Sequence, residues 1–231
     1  MPDHKPNRPF VFINAAMSAD GKIATIERKQ TRISGSPDFD RVDELRATSD
    51  AVMVGIGTML SDNPSLTVKS QERREKRRAK GLDENPVRIV VDSRARTPVD
   101  ADIFRKGEGK RIIAVSKSAP KEKVKELSEL AGIIVAGMEN VDLEKLLSEL
   151  KNRGINRVMV EGGATLNWGL ISKGLVDEVY TFIGNIIIGG GTAPTLVDGE
   201  GFGNKICRLM LISSEMVDNG ILVKWKIQSS S

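Results

Sequence analysis

The sequence is poor in the side chains on which many catalytic and metal sites depend. Its 231 residues include one cysteine, Cys207, and one histidine, His4. A single cysteine excludes an internal disulfide and favours a reducing, cytoplasmic setting. A single histidine close to the N-terminus argues against imidazole metal sites and histidine acid–base catalysis. We therefore expect chemistry without a metal.

Long apolar runs are also missing. No stretch of about 18 apolar residues occurs, so no membrane-spanning helix and no membrane partner are expected. The first ten residues, "MPDHKPNRPF", lack the apolar core of a signal peptide. No repeat or linker divides the chain. We expect residues 1–9 to be a flexible leader and residues 10–231 to form a single domain.

The positive charge is concentrated in one segment. Residues 71–80, "QERREKRRAK", contain six basic and two acidic residues, and this difference of four equals the formal net charge of +4. We interpret residues 71–81 as a charged, partly helical surface insertion. No aromatic residue is interleaved with these charges, so no nucleic-acid partner is expected. The alternative, a basic nucleic-acid-binding module, predicts affinity that falls steeply with salt.

Strand-like and helix-like segments alternate along the chain. Short runs rich in β-branched residues predict strands at 10–16, 51–55, 87–92, 111–115, 132–136, 157–163 and 177–184. Capped, periodic segments predict helices at 36–49, 120–132 and 141–154. Two apolar runs flank "DNG" at 218–220, which is a strong hairpin signal. The sequence predicts a three-layer α/β fold: a mixed, mostly parallel central sheet with a C-terminal antiparallel hairpin and helices on both faces.

Four motifs follow predicted strands, where ligands of open α/β sheets collect. "SADGKIA" presents Lys22 after a tight turn, although an ordinary turn explains it equally well. "GIGT" begins a predicted loop in which Gly55 and Gly57 allow close backbone approach and Thr58 offers a hydroxyl. Asp62 and Asn63 follow in that loop, where an Asx-turn is the plain alternative.

The other two motifs favour phosphate binding. "VDSRARTP" places Ser93, Arg94 and Arg96 together, a compact set suited to the 2′-phosphate that separates NADP from NAD. A solvated surface loop is the competing interpretation. "VMVEGGATL" runs from a strand through Gly162–Gly163 into a helix, which brings free backbone N–H groups up to a bound phosphate.

The order of these motifs, with the later "IIIGGGTAPTLV", resembles the riboflavin-biosynthesis pyrimidine reductase family. That family has a dihydrofolate-reductase-like domain, which is also the C-terminal half of bifunctional deaminase–reductases. The resemblance covers residues 10–227. It implies NADPH-dependent reduction of a ribosylamino-pyrimidine 5′-phosphate, with NADH as the alternative cofactor, and a homodimer. The deaminase signatures H-x-E and P-C-x-x-C are absent, so a stand-alone reductase is expected.

The resemblance also implies roles for individual residues. Asp62 would stabilise the protonated imine of the opened sugar, and Lys22 would contact that sugar. The implied substrate-binding residues are Asn63, Leu66, Lys69 and Glu161. The implied cofactor-binding residues are Gly55, Gly57, Thr58, Ser93, Arg94, Gly162, Gly163, Ala164 and Thr165.

Lys69 departs from the family pattern, since many bacterial members carry arginine at its position. A lysine offers a point charge instead of a bidentate grip on the substrate phosphate. We hypothesise that arginines of the insertion after Gln71 supplement it.

The sequence leaves three candidate substrates. Stand-alone members favour 2,5-diamino-6-(ribosylamino)-4(3H)-pyrimidinone 5′-phosphate. The alternatives are the deaminated 5-amino-6-(ribosylamino)uracil 5′-phosphate and dihydrofolate.

Overall fold

The computed structural model describes residues 7–28, 31–204 and 206–228. Positions 1–6 of the predicted leader lie outside the described residues. The strands are β1 (Phe10–Met17), β2 (Ala51–Gly55), β3 (Val87–Val91), β4 (Arg111–Val115), β5 (Gly132–Val135), β6 (Arg157–Val160), β7 (Glu178–Ile183), β8 (Leu209–Val217) and β9 (Gly220–Ile227). The helices are α1 (Ser36–Ala47), α2 (Ile56–Asp62), α3 (Gln71–Ala79), α4 (Asp102–Arg105), α5 (Lys121–Ser128), α6 (Leu143–Asn152) and α7 (Ala164–Ser172).

The strands form one mixed sheet in the order β5-β4-β3-β2-β6-β1-β7-β9-β8. The inner residues of β2, β3 and β4 are buried, as expected for parallel strands covered on both faces. The pairs β7–β9 and β8–β9 are antiparallel. The predicted mixed, mostly parallel sheet with an antiparallel C-terminal hairpin is therefore confirmed.

The chain divides into two compact units. Unit 1 contains Asp43–Met159 together with the residues up to Phe10, and unit 2 contains Val11–Val42 and Val160–Ser231, each as far as it is described. The expectation of a single domain over 10–231 stays a prediction.

Unit 1 is built on the parallel strands β2, β3, β4 and β5. Its core includes the fully buried Met53, Ile89 and Ile113. Arg88 is also fully buried, and it donates to the carbonyl oxygens of Lys106 (2.7 Å) and Gly107 (3.0 Å), among others. Burial lowers the pKa of Arg88 to about 10, and the neighbouring positive charge of Arg111 adds to this shift.

Unit 2 pairs β1 in parallel with β7, and β7 antiparallel with β9. β8 and β9 meet through a tight turn in which Val217 pairs with Gly220. Asp218 adopts a left-handed conformation there (φ 53°), which hairpin turns of this kind require. The predicted "DNG" hairpin is thus confirmed.

One prediction about local structure needs correction. Residues 57–62 were expected in a loop, but they belong to α2, because Gly55 begins the helix without a side-chain cap and leaves no capping signal. The insertion is helical over Gln71–Ala79 (α3), in agreement with the prediction, and within it Arg77 is 6% exposed. None of the helices in the described parts of the chain has the length and apolarity needed to cross a bilayer.

Candidate active site

In unit 1, the strand register brings two of the predicted motifs together. Gly55, the last residue of β2, lies opposite Val91, the last residue of β3. The start of α2 and the turn after β3 are therefore neighbours at the carboxyl edge of the sheet, where ligands of such sheets bind. Gly57 and Thr58 lie in the first turn of α2, which contains no acidic residue. A Cβ added to Gly57 would meet nothing within 4 Å, so the space beside it is open.

Asp62 is the last residue of α2. Its half-buried carboxylate makes no hydrogen bond or ion pair with the part of the chain that the structure describes. A negative charge at the C-terminal end of a helix opposes the helix dipole and so gains nothing for stability. The helix dipole therefore does not explain an aspartate at this position, and its catalytic role stays a prediction.

Asn63 and Leu66 are held in unusual backbone conformations. Asn63 ends α2 in the left-handed region (φ 46°, ψ 52°), and its Oδ1 accepts a hydrogen bond from the Asp102 backbone N–H at 2.9 Å. Leu66 has φ 55° and is 1% exposed. A branched residue at positive φ is strained, so the packed core must over-determine it. The structure thus gives both residues a part in shaping the segment after Asp62, and their contact with substrate stays a prediction.

Lys69 lies at the end of that segment. Its Nζ donates to the hydroxyl oxygens of Thr67 (2.8 Å) and Ser65 (3.0 Å). Burial, followed by the positive charges of Arg46 and Lys106, lowers its pKa. The carboxylates of Asp43 and Asp102 oppose this shift but do not outweigh it, so the net surroundings of the Lys69 ammonium favour binding of an anion.

The main chain at Lys69 is anchored by a residue that no sequence motif indicates. Asp43, in α1, accepts the backbone N–H groups of Lys69 and of Ser70. Its carboxylate also accepts from Arg73 at 3.2 Å. Because Asp43 is 26 positions away along the chain, no local pattern links it to Lys69.

An open cleft of about 370 Å³ lies beside Lys69 in unit 1. Its lining residues are Thr67, Val68, Lys69, Gln71, Arg74, Arg78, Glu84, Asn85 and Gly107. Arg74 and Arg78 both approach the carboxylate of Glu84, at 3.9 and 3.4 Å. With Lys69, the cleft therefore carries more positive than negative charge.

The other two arginines of the insertion are used by the fold. Arg73 pairs with Glu44 at 2.6 Å. Arg77 donates to the carbonyl oxygens of Asp83, Ala47 and Ser49 at 2.8–3.0 Å. Arg74 also serves the fold in part, because it donates to the carbonyl oxygens of Val68 (3.0 Å) and Lys69 (2.8 Å). The phosphate hypothesis for the insertion therefore narrows to Arg78 and to the remaining N–H groups of Arg74. The expected lack of a nucleic-acid partner stays a prediction.

Ser93 and Arg94 follow β3. The Ser93 hydroxyl accepts the Val141 N–H at 3.0 Å, and its carbonyl accepts from Ser116. Arg94 is exposed and makes no hydrogen bond or ion pair within the described residues. Its guanidinium is therefore available to an anion, whereas Arg96 lies 3.9 Å from the buried carboxylate of Asp92.

In unit 2, the turn after β1 carries Lys22. Gly21 adopts φ 81°, a left-handed conformation that glycine accepts without strain. The half-buried Lys22 donates from Nζ to the Ala193 carbonyl at 3.1 Å. Its ammonium is thus directed by a second segment of unit 2.

The strand-to-helix motif of unit 2 has the predicted form. β6 ends at Val160, Glu161 follows half-buried, and α7 begins at Ala164 with Gly163 as its N-cap. Gly162 has φ 98°, which favours glycine. The first turn of α7, which includes the exposed Thr165, contains no acidic residue. Its free N–H groups are therefore suited to a phosphate.

Within the described ranges, no group of three or more histidine, cysteine, aspartate and glutamate residues is placed to hold a metal ion.

Comparison with known proteins places the chain in a family. The family model for the RibD C-terminal domain matches residues 9–223. The chain is 51% identical over 216 residues to the 2,5-diamino-6-ribosylamino-4(3H)-pyrimidinone 5′-phosphate reductase of Archaeoglobus fulgidus. The match covers 94% of this chain and 97% of the relative.

Solved structures of other proteins share the fold of this chain. RibD of Acinetobacter baumannii is 28% identical with a TM-score of 0.76, over 97% of this chain and 59% of that one. Dihydrofolate reductase of Enterococcus faecalis shares the fold at 12% identity, with a TM-score of 0.50 over 95% of this chain and 97% of that one. The predicted dihydrofolate-reductase-like fold is confirmed.

Proposed function

Because the chain belongs to the RibD C-terminal domain family, we propose that it reduces 2,5-diamino-6-(ribosylamino)-4(3H)-pyrimidinone 5′-phosphate to the ribitylamino compound, with NADPH as cofactor, in riboflavin biosynthesis. The observation that carries the proposal is the 51% identity, over nearly the full length of both chains, to a reductase named for this substrate. The deaminated uracil compound is the second candidate, because a Thermotoga maritima protein named as a deaminase and 5-amino-6-(5-phosphoribosylamino)uracil reductase is 26% identical to this chain. Cytoplasmic location is part of the proposal.

Separate groups of described residues in each unit suit parts of a phosphorylated dinucleotide. The first turn of α7 offers backbone N–H groups without an acidic side chain, which suits a pyrophosphate. Gly162, Gly163, Ala164 and Thr165 would hold that group. Arg94 is exposed without a partner among the described residues, and with Ser93 it would bind the adenosine 2′-phosphate. Gly55, Gly57 and Thr58 would contact the cofactor at the start of α2. When bound, NADPH supplies the hydride.

The chain's own chemistry centres on Asp62. When the sugar ring opens, the C1′–O4′ bond breaks, the ring oxygen takes a proton and C1′ becomes the carbon of a protonated imine. A carboxylate beside that imine stabilises its positive charge, and the charge disappears once C1′ is reduced. Asp62 suits this role because no described residue already neutralises it. No metal is needed for the step.

The other substrate contacts divide by chemistry. Lys22 would bind the hydroxyl groups of the opened sugar, and Glu161 would accept hydrogen bonds from the pyrimidine. Lys69 would bind the 5′-phosphate, with Arg74 and Arg78 on the same cleft in support. Changing both arginines to serine should raise KM for substrate, whereas Arg153→Ser removes only a surface ion pair with Glu149 and serves as the control. An unchanged KM in the double variant would remove the insertion from phosphate binding.

The test of function is NADPH oxidation with the diamino substrate, the deaminated substrate and dihydrofolate offered separately. We expect rapid oxidation with the diamino compound. Faster turnover of the deaminated compound would move the enzyme to the step after deamination. Oxidation with dihydrofolate alone would contradict the proposal.

We also propose a homodimer formed through β8. This strand ends the order of the sheet, and its apolar side chains are exposed: Leu209, Met210, Leu211, Ile212 and Met216 are 42–74% accessible. A long apolar edge strand is prone to pair with another chain, and a second copy of the same strand offers a matching row of N–H and C=O groups. Sedimentation should show a dimer that Leu211→Lys with Met216→Lys converts to a monomer. A monomeric wild-type protein would refute this.

A further inference from the structure

We propose that Asp20 is a positioning residue that fixes the glycine loop, residues 186–195, against the turn that presents Lys22. The inference rests on the proposed role of Lys22 in substrate binding. It assigns to Asp20 a task beyond making a tight turn.

The turn itself is organised around Ser18. The Ser18 hydroxyl accepts the Lys22 N–H at 2.9 Å and donates to Asp20 Oδ1 at 2.5 Å. The Ser18 N–H donates to the Lys22 carbonyl at 2.8 Å, and the Gly21 N–H donates to the Ser18 carbonyl at 2.9 Å. These bonds fix Asp20 and Lys22 relative to each other within five residues.

Asp20 then reaches the glycine loop. Its Oδ1 accepts the Ile188 N–H at 3.0 Å, and its Oδ2 accepts the Gly189 N–H at 2.7 Å. One carboxylate thus receives three donors from two segments that are far apart in sequence. These bonds lower the pKa of Asp20 to about 2, with the Ser18 bond as the largest cause, so the carboxylate stays charged at any assay pH.

The far end of the glycine loop holds Lys22. The Lys22 Nζ donates to the Ala193 carbonyl at 3.1 Å, and the Ile23 N–H donates to the Pro194 carbonyl at 3.0 Å. Lys22 and Thr195 form an antiparallel bridge. The loop that Asp20 secures at Ile188 and Gly189 is therefore the loop that directs the Lys22 ammonium.

We call the hydrogen bonds from Ile188 and Gly189 to Asp20 the clamp. The glycine loop needs the clamp because its glycines allow many other backbone conformations. Gly189 (φ 70°) and Gly190 (φ 85°) adopt left-handed conformations, and glycine loses the most freedom on being ordered. The amide donors of Ile188 and Gly189 each meet a different oxygen of the Asp20 carboxylate. An asparagine matches only one, since its amide nitrogen would face an N–H. Asp20→Asn therefore loosens the clamp with little change in shape.

The experiment is a double-mutant cycle of Asp20→Asn and Lys22→Met, with kcat and KM measured for the substrate and binding measured for NADPH. We expect Asp20→Asn to lower kcat/KM for substrate about tenfold, because a misdirected contact loses much of its effect. NADPH binding should not change. In the Lys22→Met background Asp20→Asn should have no further effect, because both changes act through one ammonium.

A matched control is Asp177→Asn. Asp177 Oδ2 accepts the Val11 N–H at 2.8 Å in the same unit, at the amino end of β1. The change neutralises a carboxylate that accepts a backbone N–H, without touching the glycine loop, so kinetics should stay as in the wild type. Independent losses from Asp20→Asn and Lys22→Met, or unchanged kinetics in Asp20→Asn, would overturn the inference.

A second readout does not depend on activity. Loosening the clamp should speed hydrogen exchange of the amides at Ile188 and Gly189 and speed acylation of the Lys22 amine, each followed by mass spectrometry. If Lys22→Met turns over normally, the proposed role of Lys22 fails, yet faster acylation in Asp20→Asn still supports the clamp. If exchange and acylation match the wild type, the clamp fails whatever the kinetics of Lys22→Met.

Discussion

Asp20 and Asp62 both follow strands of the sheet, but their hydrogen bonding differs. Asp20 lies in the turn after β1, and Asp62 lies at the end of α2, the helix that follows β2. Asp20 is exposed and receives three hydrogen bonds. Asp62 is half-buried and receives none from the described residues. A carboxylate whose two oxygens both accept hydrogen bonds contributes to structure, whereas a half-buried carboxylate without such bonds is available to a ligand.

The arginines of unit 1 repeat this contrast. Arg77 is buried and donates to three backbone carbonyls, whereas Arg94 is exposed without a partner in the described ranges. In the sequence alone, four charged side chains in polar segments look alike: Asp20, Asp62, Arg77 and Arg94. Only the structure separates those that serve the fold from those that are available to ligands.

The largest expected effect is on stability. Arg77→Met leaves the carbonyl oxygens of Asp83, Ala47 and Ser49 buried without their donor, which should lower the free energy of unfolding by about 3 kcal/mol. Arg78→Met is the control, because Arg78 is exposed and its ion pair with Glu84 is worth less than about 1 kcal/mol. Urea unfolding measures both. Equal losses of unfolding free energy in the two variants would contradict the different roles assigned to Arg77 and Arg78.

Asp62→Asn should impair catalysis and leave stability nearly unchanged, which is the opposite of Arg77→Met. We expect kcat to fall at least about tenfold, because the protonated imine loses its counter-charge. The free energy of unfolding should stay the same or rise by about 0.3 kcal/mol, since a negative charge leaves the C-terminal end of α2. Asp100→Asn, at a 66% exposed side chain in the same unit, should leave kcat unchanged. Near-normal turnover of Asp62→Asn would remove Asp62 from catalysis.

Arg94→Gln should act on the cofactor alone. Loss of a charge-assisted bond at an exposed site should raise KM for NADPH about tenfold and leave KM for NADH unchanged. Arg96→Gln is the matched control, because that side chain approaches Asp92. Equal changes for both cofactors would show that Arg94 does not contact the 2′-phosphate.

The smallest effect concerns acid stability. The folded protein holds the pKa of Asp20 at about 2, below its ordinary value of 3.8. Its carboxylate therefore contributes stability that is fully present above 3.8 and is lost as the pH falls through about 2. The difference in unfolding free energy between the wild type and Asp20→Asn should shrink across that interval. A difference independent of pH there would contradict the assigned hydrogen bonds.

The sequence was informative where the signal is local. Alternating apolar runs predicted all nine strands within a few residues, and "DNG" predicted the hairpin turn. α2 was missed because "GIGTMLSD" begins with glycines and has no side-chain cap, so its composition favours a loop. α4 was also missed, since four residues are too few to show a period.

Long-range contacts explain the rest. Asp20 bonds to residues 168 and 169 positions away, and Asp43 to Lys69 across 26. No residue pattern in "SADGKIA" predicts these partners of Asp20. The left-handed Leu66 is likewise set by packing, because a branched residue does not favour positive φ.

The central claim is that hydride reaches C1′ of the opened ribosyl group of the diamino substrate. The most direct measurement uses NADPH deuterated at C4, in each of its two stereochemical forms, and locates the label in the product by NMR. We predict that one form places a single deuterium on C1′ of the ribityl chain. Deuterium on the pyrimidine ring, or product without label from both forms, would contradict the account.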